Sequence, residues 1–159
     1  MPPYLTREEV ERRLTAAGWE PGREKGDEAT AVMEQAVSSL AEMGCSVTPF
    51  PAAVDFVTEF VGLRVPFPGH DADKEYVTFT VRYFEESFAD SISELADWVE
   101  QPLFPVAYVN NDRALALVDP QDRYFLTHWS GDYYLGKGRY EALACLMTGR
   151  HYDLEEVDV

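Results

Sequence analysis

The chain has 159 residues, with 13 Lys and Arg against 29 Asp and Glu and a formal net charge of −16. This length fits a single domain that buries a core without a disulfide or a metal, and nine Phe, nine Tyr and three Trp exclude an acidic disordered chain. The charge argues against nucleic acid and anionic membrane as partners and for a cationic protein or peptide.

Met1-Pro2-Pro3-Tyr4 carries no secretory h-region, and no apolar run reaches the length of a membrane span. Cys45 and Cys145 are the two cysteines and lack CxxC spacing, the pattern of reduced, buried thiols in a cytoplasmic protein. Thr6 with Glu9 forms a capping box that opens a first helix with Val10, Leu14 and Ala17 on one face and Gly18 as its stop. A second helix is expected from Asp27 to Met43, closed by Gly44. A third follows Pro51, with Val54, Val57 and Phe60 or Val61 inward and Gly62 as its end. Leu63 to Phe67 reads as a short strand, and Tyr76 to Arg82, rich in β-branched and aromatic residues, as a longer one.

Ser91-Ile92-Ser93-Glu94 has the form of a second capping box, opening a helix that runs to Glu100. Strands are expected at Phe104 to Val109, Arg113 to Val118 and Arg123 to His128, joined by the turn sequences Asn110-Asn111-Asp112 and Asp119-Pro120-Gln121-Asp122. A closing helix runs from Gly138 to Met147 and ends at Gly149. An acidic tail, frayed from Asp153 to Val159, follows a core of about residues 6–150. The order points to one α+β domain, with a mostly antiparallel sheet flanked by N-terminal and C-terminal helices.

Three stretches resemble motifs that carry chemistry. Gly131-Asp-Tyr-Tyr-Leu-Gly136-Lys137-Gly138 fits GxxxxGK and is expected to be a loop entering the last helix. Gly138 stands where a phosphate loop needs Ser or Thr, and the hairpin spacing opposes a parallel βαβ unit. Asp71-Ala72-Asp73 starts like a calcium loop, but Tyr76 and Arg82 occupy the positions that need Gly and Glu. Cys145 could meet His128 in space, yet it sits in an apolar helix run, and no GxSxG is present. No catalytic set, metal site or cofactor emerges. A nucleotide-binding enzyme is the remotest alternative function.

The negative charge is concentrated instead. Residues 71–112 hold ten acids against Lys74 and Arg82, so a quarter of the chain carries −8, half of the total. Asp90, Glu94 and Asp97 recur at i, i+4 and i+7, while Ile92, Leu95 and Val99 take the other side of the same helix. Glu86, Asp90, Glu94, Asp97 and Glu100 are therefore the candidate partner-binding residues. Such a row is either a solvated face or a docking surface for a basic partner.

Ala17-Gly18-Trp19-Glu20-Pro21-Gly22-Arg23 resembles an early signature of the third family in the SUKH superfamily of immunity proteins. Phe56 to Leu63 is similar to that family's helix ending in Gly-Gly-Leu, with Val61 at the first glycine. Leu103-Phe104-Pro105-Val106 resembles its Leu-x-Pro-apolar strand, with Ala107 where Gly is frequent. Ala116 to Tyr124 resembles its acidic turn followed by an aromatic, with Asp122 where a turn Gly is common. Gly136, Glu141-Ala142-Leu143, Leu146 and Gly149 match its closing segment, so the resemblance spans roughly residues 17–150.

The resemblance implies the SUKH fold and a bacterial cytoplasmic protein that neutralises a cognate toxin without chemistry of its own; the acidic surface suits a basic toxin domain. It makes Gly18, Trp19, Pro21, Gly22, Arg23, Gly62, Pro105, Gly136 and Gly149 a structural signature. Gly18 then stops a helix, Trp19 packs on the core and Pro21-Gly22 turns the chain. A housekeeping interaction or regulatory module on the same fold is the alternative.

Overall fold

The structure is a computed structural model that describes residues 5–67, 74–82, 84–110, 112–150 and 152–154. Helix α1 (Arg7–Ala16) begins on Thr6, whose hydroxyl accepts from the Glu9 N–H at 3.2 Å. The reciprocal half of the expected box is replaced, because the Glu9 carboxylate is taken by Arg12 and Arg13. The Arg12 hydrogen bond, foremost, holds the Glu9 carboxyl below its usual pKa. Helix α2 (Gly26–Glu42) buries Ala29, Met33, Ala36 and Leu40. In α3 (Pro51–Phe60) the buried arc is Ala53, Phe56, Val57 and Phe60, which rotates Val54 outward to 36% exposure rather than inward.

The described strands form one antiparallel sheet of seven, in chain order. They are β1 (Arg64–Pro66), β2 (Tyr76–Thr78), β3 (Phe104–Val109), β4 (Ala114–Val118), β5 (Arg123–His128), β6 (Gly131–Lys137) and β7 (Tyr152–Asp153). Helix α4 (Glu86–Val99) lies between β2 and β3 in the chain, and α5 (Arg139–Thr148) between β6 and β7. Four expectations change. Strand β2 stops at Thr78, not Arg82: β1 gives way to the end of α3 at Gly62, and the Gly62 N–H goes to the Thr80 hydroxyl at 2.8 Å instead of a ladder. The segment Gly131–Lys137, expected as a loop, is a strand paired with β5 along its length. The segment around Asp153 is tied to β6 by the pair Tyr133↔Asp153. Finally, α4 starts at Glu86 rather than after Ser91, so the Ser91–Glu94 box lies inside the helix, with Glu85 as its N-cap.

Register assigns the two faces of the sheet. Tyr108, Leu115 and Thr127 are cross-strand partners, as are Leu117, Phe125 and Tyr134. Paired residues share a face, and so do residues two apart, so this set forms one face. Phe88 of α4 packs on Tyr108, ring centroids 6.4 Å apart, which puts α4 there. On the opposite face Phe56 of α3 packs on Tyr124 at 5.5 Å. Helix α2 packs on α3, and α1 on α5, which also packs on β6. With both faces covered, β4 is buried at all five positions. Pro105 lacks an N–H and sits beside a register shift in β3, as proline in a central strand requires.

Candidate functional site

Helix α4 exposes one face. Its buried stripe is Phe88, Ala89, Ile92, Leu95 and Val99, a spacing that turns Glu86, Asp90, Glu94 and Asp97 to solvent. The true start of the helix at Glu86 extends the carboxylate row by one turn beyond the expected opening. Glu100 follows the last turn and is also exposed. Among the described residues no Lys or Arg forms an ion pair with any of the five, whereas Glu85, just before the helix, pairs with Arg113.

Two features of this row run against helix stability. Carboxylates four apart repel one another, and the C-terminal end of a helix disfavours negative charge, yet Asp97 and Glu100 are placed there. The helix ends sharpen the point. In α1, α2, α4 and α5 the same 6→1 backbone bond closes the last turn: Trp19 N–H to Leu14 C=O, Cys45 to Leu40, Gln101 to Ala96 and Arg150 to Cys145, at 2.8–3.2 Å. The residue before each donor has positive φ, a place that favours glycine. It is Gly18, Gly44 and Gly149 in three helices and Glu100, at φ 57°, in α4.

Beside the row stands Trp98, 54% exposed, and at the β5–β6 turn Trp129, 88% exposed. Sequence reasoning missed both. Trp98 lies four residues after Glu94, so its outward phase was available from the same periodicity. Trp129 is hidden in the sequence because Gly131–Lys137 reads there as a loop, leaving no hairpin tip to project it.

The signature residues Gly18, Trp19, Pro21, Gly22, Arg23 and Gly62 gather elsewhere, around the C-terminus of α3. Trp19 is 7% exposed, and its Nε1–H donates to Glu59 at 3.0 Å. Glu20 to Arg23 closes a turn with Pro21 second and Gly22 third at φ 83°, the arrangement that a type II turn demands. The turn delivers Arg23, whose guanidinium donates to the Glu59 and Val61 carbonyls at 2.6 and 2.7 Å. These are carbonyls that the end of α3 leaves free, and a cation is favoured there. Arg139 of α5 pairs with the Glu59 carboxylate and lies 5.5 Å from the Phe60 ring centroid. Gly62 abuts the Glu28 carboxylate, and Gly136 abuts Cβ of Glu141. One stretch thus fastens α1, α3 and α5 together.

The acidic turn after β4 is likewise consumed internally. Asp119 is fully buried and accepts from the Gln121 and Arg123 N–H groups at 2.9 and 3.0 Å and from Arg123 Nε at 2.7 Å. Asp122, where a glycine was the usual residue, adopts φ 64° and accepts from the Tyr124 hydroxyl at 2.8 Å. Burial, helped by this bond, pushes the Tyr124 phenol up.

The remaining motifs also acquire structural places. GxxxxGK is extended along β6 and offers no concave nest of N–H groups; the Lys137 N–H is turned to Glu141 at 3.2 Å. Burial pushes the Cys145 thiol up to about 11, the reverse of a nucleophile's requirement. His128 engages Ser130 Oγ at 2.7 Å within its own turn. No group of three potential ligands could hold a metal ion among the described residues. The Asp71–Asp73 loop and the tail 155–159 lie outside those residues, among which no helix is long and apolar enough to cross a membrane.

The described fold is an antiparallel α+β domain with a stapled helix junction and an exposed acidic face on α4. The family model for the SUKH-3 immunity protein matches residues 6–149, nearly the whole chain, and the chain belongs to this family. No curated protein and no solved structure matches it.

Proposed function

We propose that this protein is the immunity partner of a bacterial toxin, acting in the cytoplasm by binding a basic toxin domain and blocking it without catalysis. Family membership supports the immunity role. The observation that carries the binding surface is Glu100: three helices close on glycine, and α4 closes on a carboxylate that prolongs a row of acids with no ion-pair partner among the described residues. Local stability is given up there, which is the mark of a functional position. A cationic partner relieves the repulsion within Glu86, Asp90, Glu94, Asp97 and Glu100 and gains speed of association from it.

The test is co-expression with the C-terminal domain of the toxin encoded beside the gene. The expected result is restored growth and a co-purifying complex. If the toxin domain kills equally with and without this protein and the two do not co-purify, the immunity reading is wrong. A housekeeping module would instead be found bound to a host protein.

A further inference from the structure

Between α4 and the β6–β7 end of the sheet runs an open groove of about 480 Å³, lined by Glu94, Trp98, Ser130, Asp132, Tyr133 and Asp153 among others. We infer that this groove is the anchor site for an arginine side chain of the partner, seated against Trp98 and held by the carboxylates of Glu94 and Asp132. The inference rests on the immunity reading and adds to it a specific seat and a specific side chain.

The geometry comes from three distant parts of the chain. Asp132 is paired with Thr127 on the face of the sheet that α4 covers, and β7, whose Asp153 pairs with Tyr133, borders the groove at the edge of the sheet. Glu94 and Trp98 are one helical turn apart on α4 and form the facing wall. One Asp132 oxygen accepts from the Thr127 hydroxyl at 2.8 Å, which fixes the carboxylate. Ser130 Oγ bridges His128 Nδ1 at 2.7 Å and the Tyr133 hydroxyl at 2.8 Å, which pins the rim of the turn. Three acids and no Lys or Arg line the groove among the described residues. The site is prepared for positive charge.

Which cation fits follows from the walls. A divalent metal needs converging ligands, and these carboxylates are not so grouped among the described residues. A planar guanidinium stacks on an indole and still offers donors at its edge to carboxylates. A lysine ammonium lacks the flat face. The exposed α4 row and the groove then have separable effects: peripheral charges act mainly on the association rate, and a desolvated aromatic anchor acts on dissociation.

The experiment titrates the full chain with a blocked tetra-arginine peptide and follows the three tryptophan indole resonances by NMR, with tetra-lysine and tetra-glutamate peptides as comparators. The Trp98 indole should shift and saturate, and the buried Trp19 indole should stay in place. Tetra-lysine should bind more weakly, and tetra-glutamate should leave all three resonances unmoved. Trp98→Ala should weaken tetra-arginine by about tenfold, in keeping with a stacked guanidinium. Glu94→Gln, which alters charge without removing the aromatic wall, should weaken it less, and more at about 20 mM than at about 150 mM salt. The melting temperature of each variant is read in parallel, and the exposed position of Trp98 lets the alanine variant fold. An unmoved Trp98 resonance, equal binding of arginine and lysine peptides, or full affinity in Trp98→Ala would each overturn the groove. Toxin protection can persist in all those cases, so loss of the groove and loss of the immunity role are told apart.

Discussion

At the junction of α1, α3 and α5 the Glu59 carboxylate accepts from Trp19 and pairs with Arg139, while Arg23 covers the carbonyls beside it. Along α4 five carboxylates face solvent, and no described cation pairs with them. The same functional group serves opposite ends. In the first region it is satisfied inside the molecule and fixes helices relative to one another. In the second it faces solvent. Asp119 belongs with the first region, since its carboxylate is spent on its own turn. Net charge alone would not have separated them.

The largest expected effect lies in the first region. Trp19→Ala should lower the unfolding free energy by about 3–5 kcal/mol, as truncation of a buried aromatic does, measured by urea denaturation. Glu59→Gln should lower it by about 1.5–3 kcal/mol, the range for hydrogen bonds to charged groups, since Arg139 loses its counterion. An unchanged midpoint in both would show that the junction is incidental.

The interior also sets a pH dependence. Cys145 is held protonated by burial, its value raised from about 9 to about 11, so the stability linked to it is complete below the unfolded value and lost as pH rises through the folded one. Denaturation midpoints should fall between about pH 9 and about pH 11, and Cys145→Ala, though less stable at neutral pH, should show a shallower fall. At pH 8 the native thiol should resist a disulfide reagent that labels the unfolded chain.

Smaller effects belong to α4, and their sign is the informative part. Glu100→Gly should raise stability by about 0.5–1 kcal/mol, because it relieves a left-handed side chain and removes a carboxylate from a helix C-terminus. Asp90→Lys with Asp97→Lys should change stability by about 0.5 kcal/mol or less. A row retained for folding would respond in the opposite direction, with each change destabilising.

Much of the fold was legible because local chemistry punctuates it. Gly18, Gly44 and Gly149 end helices where φ turns positive, and β5 runs over Arg123–His128 as its composition indicates. Misreadings arose where a local pattern imitated another element. Ser91-x-x-Glu94 imitates a cap, and α4 begins instead at Glu85-Glu86, where no capping side chain bonds the backbone. Gly131 and Gly136 imitate a loop, yet the intervening tyrosines alternate into a strand that β5 holds. The Gly-Trp-x-Pro-Gly-Arg stretch was legible as scaffold, but its partners Glu59, Val61 and Arg139 were not, since nothing local links residue 23 to residue 139. The acidic row was legible from helical phase. The groove beside it was not, because it forms only when residues near 94, 132 and 153 meet across the sheet.

The most direct test of the central claim is the binding of the neighbouring toxin domain to wild type and to the Asp90→Lys, Asp97→Lys double variant, with association and dissociation rates measured at low and physiological salt. Both changes lie outside the groove. The account predicts a normally folded variant whose association rate falls at least about tenfold at low salt, with the gap narrowing as salt screens the row. A variant that associates as fast as wild type at both salt concentrations would contradict it and return the α4 carboxylates to the status of a solvated face.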